Sequence, residues 1–272
     1  MSALLKLGSA VFGGSLTSLS LFKKQSFAET SFCPPRSPCR PSSSSSEHPL
    51  VTPASEPWKW NWDGRQNNPG CYSGVRNIFF IRHGEYETEA RVAQLTDRGV
   101  KQARMLGTFL KKFADKEFPN LRDMDVRCYH SGVLRAEQTC SEAMKVCSGL
   151  DLKPRLENRL AEGWPMYPSP SFEGALPCNQ EVVQCRNRLN SFFQERMHRS
   201  SCNQDTFELY FCHGNVARFL TLKLLQMPLL AWSRFIIGHC GITWIRIFPD
   251  GRVSCLTYGD TGFLDSMDMI TS

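Results

Sequence analysis

Two apolar segments of the chain end in the same way, with a histidine followed by a glycine. The first is residues 79–85 (FFIRHGE), and the second is residues 207–214 (FELYFCHG). Apolar runs of this length are typical of buried strands, and a glycine lets a ligand approach the backbone closely. We therefore expect His83 and His213 to face each other across one pocket, with Arg82 beside His83. This arrangement suits attack by a histidine on a phosphate group.

Two further segments add an arginine and a carboxylate. Residues 130–139 (HSGVLRAEQT) follow a strand-like run and open a helix, which places Arg135 in the first helical turn, where the helix dipole favours phosphate. Residues 160–163 (LAEG) place Glu162 in a loop after another strand-like run. Two arginines, two histidines and one carboxylate are the side chains needed for phosphoryl transfer without a metal.

Each residue type indicates a role. His83 is the nucleophile that becomes phosphorylated, while Arg82 and Arg135 bind the phosphoryl oxygens through charge-assisted hydrogen bonds. His213 is predicted to donate to the same phosphoryl group, as both a catalytic and a phosphate-binding residue. Glu162 is predicted to protonate the leaving hydroxyl and then to activate the water that hydrolyses the phosphohistidine.

The order of these residues along the chain is more informative than any one of them, because a structural role explains each residue alone equally well. Together they follow four successive predicted strands. The remaining histidines are not predicted to take part in the chemistry. His130 and His239 are predicted to be structural, and His48 and His198 to lie in solvent.

Strand-like runs alternate with helical patterns over most of the chain, which predicts an α/β fold. The expected fold is a doubly wound, mainly parallel sheet with helices on both faces, which places ligands at the carboxyl ends of its strands. Thr96 is the predicted N-cap of the first helix. The predicted strands are 75–81, 126–129, 152–156 and 207–212, the predicted helices are 96–114, 133–147, 181–197 and 215–225, and a hairpin is predicted at 242–258.

Composition narrows the possible partners and cofactors. The chain has 272 residues, enough for one well-buried domain with a tail, and a formal net charge of +6. Lys and Arg are dispersed rather than clustered, so nucleic acid is not an expected partner. The 12 cysteines show no zinc-site spacing, and those inside apolar runs are typical of reduced core thiols. We expect neither a metal nor a cofactor.

Four regions are predicted. Residues 1–28 contain no acidic residue and read as a targeting segment or membrane anchor, with a cleaved presequence as the alternative. Residues 29–57 form a disordered Pro/Ser-rich linker, and residues 58–75 a Trp-rich segment. That segment is either a strap packed on its own domain or a contact for another chain, and the pattern alone favours the strap. Residues 76–272 form the catalytic domain.

Several motifs resemble those of the histidine phosphatase superfamily, in the branch that contains the cofactor-dependent phosphoglycerate mutases. They are residues 82–85 (RHGE), 160–163 (LAEG), 211–216 (FCHGNV), Arg218 and 259–263 (GDTGF), and the resemblance covers 76–272. Within that branch the chain is similar to mitochondrial serine/threonine protein phosphatases that lack mutase activity. The resemblance implies hydrolysis of phosphoproteins and an anchor in a mitochondrial membrane, the outer rather than the inner. It also implies apoptosis signal-regulating kinase as a partner.

Residues 58–63 (WKWNWD) resemble the Trp-Asp-x-Asn-Trp-Asp motif of the same group. The resemblance implies homo-oligomers, up to dodecamers, formed through Trp58, Asn61, Trp62 and Asp63. The chain differs from the motifs of this group at two positions, which implies altered assembly and altered substrate contacts. Lys59 stands in place of the first aspartate of the motif, which affects assembly, and Ala161 replaces a common arginine beside the catalytic acid.

Two alternative functions stay open. The first is a small-metabolite phosphatase or a phosphoglycerate mutase that uses the same histidine. Mutases exclude water with a large lid, whereas only the short segment 164–178 follows Glu162 here, so an open pocket and a protein substrate are favoured. The second is an oligomeric scaffold at the mitochondrial membrane, for which catalysis is dispensable.

Overall fold

The computed structural model describes residues 58–65, 72–89, 92–147, 152–169, 176–266 and 269–272. The predicted targeting segment 1–28 and linker 29–57, which includes His48, lie outside the described residues, and only part of 58–75 is described. Among the helices that are described, none has the length and apolar character needed to cross a bilayer.

Within the part of the chain that the structure describes, one six-stranded sheet forms the centre of the fold. Its strands are β1 (Arg76–Arg82), β2 (Asp125–His130), β3 (Arg155–Leu156), β4 (Thr206–Cys212), β5 (Ile242–Ile247) and β6 (Val253–Asp260). They are ordered β3-β2-β4-β1-β5-β6, and β1 to β4 are parallel while β5 and β6 are antiparallel. Because Arg82 is paired with Cys212, His83 and His213 leave neighbouring strands side by side. The predicted mainly parallel sheet is confirmed.

Helices cover both faces of the sheet, as the alternation of strands and helices predicted. The helices are α1 (Asp97–Glu117), α2 (Leu134–Val146), α3 (Asn179–Arg196) and α4 (Gly214–Leu224). In β1, Phe79 and Ile81 pack with α1 and α2, whereas Ile78 and Phe80 pack with α3 and α4. This strict alternation is what a strand buried on both faces requires. Thr96 caps α1, as predicted, by accepting a hydrogen bond from Gly99 N at 3.0 Å.

The structure differs from the sequence predictions at one strand and in three short helices. β3 has only two residues rather than the predicted five, because Pro154 immediately before it cannot donate to a neighbouring strand. The chain also forms 3-10 helices that no pattern indicated: Leu121–Asp123, Asn158–Leu160 and Leu229–Arg234. The nine described cysteines are free thiols, six of them buried, as expected of core residues.

Residues 58–65 pack against the body of their own domain. The indole of Trp62 donates to Gly251 O at 2.8 Å and lies beside the Phe193 ring. The fully buried carboxylate of Asp63 accepts from Arg199 Nη2 at 2.6 Å. These contacts are those of a strap. A role in assembly for Trp58, Asn61, Trp62 and Asp63 stays a prediction.

Candidate active site

The parallel strands deliver the predicted residues to one edge of the sheet. His83 follows β1, Arg135 is the second residue of α2 after β2, Glu162 lies in the loop beyond β3, and His213 follows β4. Arg135 Nε lies 3.0 Å from His83 Nε2, and Glu162 Oε2 lies 3.4 Å from His213 Nδ1. Arg135 Nη2 lies 3.7 Å from the same Glu162 oxygen, and the two imidazole rings are 5.1 Å apart between centroids. The structure thus brings these side chains together.

Two neighbours fix the tautomer of His83. Its Nδ1 lies 2.8 Å from Gly84 O, and a carbonyl only accepts, so Nδ1 carries the proton. Its Nε2 faces Arg135 Nε, and a guanidinium only donates, so Nε2 presents a lone pair. Burial, then the nearby His213 and the two arginines, hold the pKa of His83 well below its usual value. A neutral imidazole with its Nε2 lone pair towards the site is a nucleophile.

The backbone around His83 is held from several sides. His83 N donates to Cys212 O at 3.0 Å, and Gly84 N donates to Thr139 Oγ1 at 2.9 Å. A Cβ at Gly84 would lie 2.8 Å from Gly99 O at the start of α1. The glycine after His83 is therefore required by this close backbone packing. The sequence had suggested ligand approach as the reason instead.

His213 lies fully buried beneath the site. Its Nε2 is 2.9 Å from Ser131 Oγ, while its buried Nδ1 makes no hydrogen bond within the described part of the chain. Burial, with the charges of Arg135 and Arg82, lowers the pKa of His213 to about 2. The ring is neutral, and the position of Nδ1 beside Glu162 leaves it directed at the site.

Glu162 retains about a third of its side-chain surface exposed (34%). Burial raises the pKa of its carboxyl group, although Arg135, Arg82 and Arg218 act in the opposite direction. A carboxyl group with a raised pKa keeps its proton to a higher pH, which suits a proton donor.

The guanidinium of Arg82 is held by a loop that the sequence did not link to the site. Arg82 Nη1 donates to Ile237 O at 2.6 Å, and Nη2 donates to His239 Nε2 at 3.2 Å. The His239 ring lies 5.6 Å from that of His83. The prediction that His239 is structural stays a prediction, and the structure places the His239 ring beside the site, where it accepts from Arg82. His239 does not follow a strand-like run, as the predicted site residues do, so the sequence pattern gave no signal for it.

Other residues also differ from expectation or were missed. The rings of Tyr86 and His83 are nearly perpendicular, with their centroids 5.1 Å apart. The Arg135 guanidinium lies 4.6 Å from the centroid of the Tyr86 ring. Arg218 is one of the residues that carry the family resemblance, but no role was predicted for it. Its Nη1 donates to Phe235 O at 3.0 Å. His198 is half-buried rather than in solvent, because it follows the C-cap of α3 and its carbonyl accepts from the buried Arg76. His130, at the end of β2, accepts from Gly132 N at 3.3 Å and stays outside the site.

A cavity of about 330 Å³ opens beside these groups. Arg82, Glu162, Asn215, Arg218 and Ile236 are among its lining residues. Cationic groups, a carboxyl group and the exposed apolar side chain of Ile236 therefore surround the same space, which accommodates a phosphate and part of the group that carries it.

Three potential metal ligands lie within this site. His83, Glu162 and His213 each offer one ligand atom, and these atoms lie within 4.8 Å of one another. The guanidinium groups of Arg82 and Arg135 lie beside the same atoms and favour an anion over a cation. That no metal takes part stays a prediction.

Comparison with known proteins defines the class. Residues 78–168 and 167–261 match the sequence model of the histidine phosphatase superfamily, branch 1, and the chain belongs to this superfamily. It is similar to the protein named serine/threonine-protein phosphatase Pgam5, mitochondrial, in two species. With that of Caenorhabditis briggsae it shares 36% identity over 191 residues, which is 70% of this chain and 64% of the relative. With the protein of Homo sapiens it shares 30% identity over 195 residues, which is 70% of this chain and 64% of the relative.

The matched region thus spans a little less than two thirds of these relatives. Among solved structures, the chain is similar to a phosphoglycerate mutase from Plasmodium falciparum, with 26% identity and a TM-score of 0.47. The similarity covers 68% of this chain and 91% of that one.

Proposed function

We propose that this chain is a mitochondrial serine/threonine phosphoprotein phosphatase that works through a phosphohistidine at His83. The observation that carries the proposal is the fixed state of His83, whose Nε2 lone pair lies 3.0 Å from the Arg135 guanidinium in a pocket shared with Arg82, Glu162 and His213. A neutral nucleophile beside cationic groups is what attack on a phosphate monoester requires.

The first step transfers the phosphoryl group to His83. Nε2 attacks phosphorus, and Arg135, released from its hydrogen bond to Nε2, binds a phosphoryl oxygen together with Arg82. The bond between phosphorus and the substrate oxygen breaks, and the protonated Glu162 gives its proton to that leaving oxygen. The products of this step are the free hydroxyl of the protein substrate and phospho-His83.

The second step removes the phosphoryl group with water. Glu162, now a carboxylate, takes a proton from a water molecule whose oxygen attacks phosphorus, and the P–Nε2 bond breaks. Inorganic phosphate leaves, and both residues regain their starting states. Through both steps a neutral His213 with its proton on Nδ1 donates to a phosphoryl oxygen, with Nε2 accepting from Ser131.

The cellular setting belongs to the same proposal. The relatives of the chain are named mitochondrial serine/threonine phosphatases, and this supports both the compartment and the substrate class. We also propose attachment to the outer mitochondrial membrane, homo-oligomers up to dodecamers, and apoptosis signal-regulating kinase as a partner. Membrane attachment is supported by the composition of residues 1–28 and oligomerisation by the motif resemblance of residues 58–63. The kinase partner is supported by the family resemblance of residues 76–272.

Purified protein distinguishes this function from the alternatives. We expect release of inorganic phosphate from phosphothreonine and phosphoserine peptides, and loss of this activity in His83→Ala. A matched control is His198→Ala, because His198 is also partly buried but lies after α3, next to Arg76 at the end of β1 opposite to His83. Rapid interconversion of phosphoglycerates without peptide hydrolysis would favour a mutase. Equal peptide hydrolysis by His83→Ala and the wild type would refute the proposal.

A further inference from the structure

One apolar side chain at the site is unusually exposed. Ile236 has 75% of its surface accessible, more than any other large hydrophobic residue that the structure describes. It lines the same cavity as Glu162, Arg82 and Arg218. Exposed apolar surface at a binding cavity commonly marks a contact with a ligand.

Ile236 is held firmly in this exposed position. The carbonyl before it, Phe235 O, accepts from Arg218 Nη1 at 3.0 Å, and the carbonyl after it, Ile237 O, accepts from Arg82 Nη1 at 2.6 Å. Phe235 packs against the Tyr258 ring, and Ile237 is only 2% exposed. Two guanidinium groups of the cavity therefore fix the backbone on either side of one isoleucine and present its side chain to the opening.

The hydrogen bonds of Arg218 indicate what this opening recognises. Arg218 Nε donates to Gly214 O at 3.1 Å, and Nη2 donates to Asn215 Oδ1, in addition to the bond with Phe235 O. Three of the five N–H groups of Arg218 thus hold the first turn of its own helix, α4, and the loop that carries Ile236. Beside Arg82 and Arg218, the cavity lining exposes the apolar side chain of Ile236.

We propose that Ile236 determines substrate specificity by contacting the residue next to the phosphorylated one. The substrate class is a polypeptide in which an apolar residue neighbours the phosphoserine or phosphothreonine. This inference rests on the proposed phosphatase function and adds a sequence preference to it. The contact removes apolar surface of both partners from water, which stabilises the enzyme–substrate complex.

The test uses the full chain and three variants. Ile236→Ala removes most of the contact, Ile236→Val retains most of it, and Leu256→Ala removes a partly exposed apolar side chain (44%) from β6 as the matched control. The substrates are two phosphothreonine peptides that differ only in Leu or Asp at the flanking positions. The third substrate is p-nitrophenyl phosphate, which has no flanking residue.

We expect the wild type to hydrolyse the Leu peptide with a kcat/KM about fivefold or more above that of the Asp peptide, a difference within the range of one apolar contact. Ile236→Ala should bring this ratio close to one, while Ile236→Val and Leu256→Ala keep it. Leu256→Ala should hydrolyse p-nitrophenyl phosphate at the wild-type rate. In Ile236→Ala the loss of kcat/KM for the Leu peptide should exceed any change for p-nitrophenyl phosphate, because that substrate has no flanking residue.

Other outcomes separate the failure of this inference from that of the phosphatase function. No hydrolysis of any phosphate ester by the wild type would refute the phosphatase function itself. Hydrolysis with an unchanged Leu/Asp ratio in Ile236→Ala refutes only the specificity role. If Ile236→Ala forms a smaller assembly than the wild type, as measured by light scattering, Ile236 belongs to a contact between copies of the chain. The proposal is then wrong.

Discussion

His83 is the residue on which the proposed chemistry depends, and two hydrogen bonds fix where its proton lies. Gly84 O accepts from Nδ1, and Arg135 donates to Nε2. The lowered pKa of His83 has burial as its main cause, so the ring stays neutral into mildly acidic solution. The raised pKa of Glu162, also caused by burial, keeps a proton available at higher pH. The two shifts therefore widen the pH range in which both groups are in their working states.

The pH dependence of phosphoryl transfer follows from these directions. The protonated fraction of Glu162 falls as the pH rises through its raised pKa, so transfer from a phosphothreonine peptide should slow on the alkaline side. Transfer from p-nitrophenyl phosphate should not slow there, since p-nitrophenolate leaves without a proton. Rapid-quench measurement of the first turnover from pH 5 to 9 provides the comparison. Parallel profiles for the two substrates would contradict the role of Glu162.

Substitution of Glu162 by glutamine separates the two steps. With p-nitrophenyl phosphate, we expect Glu162→Gln to release one equivalent of p-nitrophenol at close to the wild-type rate and then to turn over slowly. With a phosphothreonine peptide the first turnover itself should slow by about 10²–10⁴-fold, the usual contribution of general acid catalysis. Stopped-flow absorbance records the burst. A full steady-state rate in this variant would exclude Glu162 from the hydrolysis of phospho-His83.

Residues 235–241 and 269–272 hold one arginine of the site through a chain of hydrogen bonds. Arg82 Nη2 donates to His239 Nε2, so the proton of His239 lies on Nδ1, which donates to Thr271 Oγ1 at 2.8 Å. Gln102 Nε2 donates to the same oxygen at 2.9 Å. Burial, with the charge of Arg82, lowers the pKa of His239 to about 4, which keeps this chain intact at neutral pH.

Removal of the Thr271 hydroxyl should loosen Arg82. Thr271→Val leaves the Nδ1 proton of His239 without an acceptor, and we expect kcat/KM to fall by about tenfold, comparable to one hydrogen bond to a charged group. The change should appear mainly in KM and in a weaker inhibition by inorganic phosphate, because Arg82 binds the phosphoryl oxygens. Thr271→Ser restores the hydroxyl and should restore both constants. If inorganic phosphate inhibits Thr271→Val and Thr271→Ser equally strongly, Thr271 does not position Arg82.

Sequence pattern predicted one part of the site better than the other. His83, Arg135, Glu162 and His213 were predictable because each follows a strand, and parallel strands end at one edge of a sheet. His239 follows a 3-10 helix and an irregular loop, and its place depends on contacts with residues far along the chain. Such long-range loop contacts leave no periodic signal.

At the scale of the whole molecule, a buried ion pair stabilises the sheet at its opposite end from the site. Arg76, at the start of β1, donates to both carboxylate oxygens of Glu208 at 2.7 Å and to the carbonyls of Arg196 and His198 at the end of α3. Burial opposes ionisation of Glu208, but the charge and hydrogen bonds of Arg76 outweigh it and lower its pKa from 4.5 to about 2. This contribution to stability is present above pH 4.5 and is lost as the pH falls towards 2.

The substitution Glu208→Gln should therefore destabilise the fold without changing the chemistry. We expect the free energy of unfolding at pH 7 to fall by about 3 kcal/mol, since a buried arginine loses its partner. Between pH 4.5 and 2 the stability of the variant should depend less on pH than that of the wild type. Urea unfolding over this range gives both values, and Thr206→Val is a control that removes only one hydrogen bond to Glu208. Unchanged stability would show that the pair contributes nothing net.

The overall fold was largely predictable, because the two central parallel strands, β1 and β4, have the continuous apolar character of strands buried on both faces. The local conformations were less so. Pro154 shortened β3, and Gly84 was required by packing against α1 rather than by a ligand. The effect of Pro154 is local, whereas the packing of Gly84 depends on Gly99, and this contact forms only when α1 packs beside β1.

The most direct test of the account is the isolation of phospho-His83. The Glu162→Gln variant is mixed with p-nitrophenyl phosphate, quenched in alkaline detergent, digested and examined by mass spectrometry. The account predicts one phosphate per chain, on His83, stable to alkali and lost in acid, and none in the His83→Ala/Glu162→Gln double variant. A phosphate on another residue, or turnover by wild type and variant with no phosphate on His83, would contradict it.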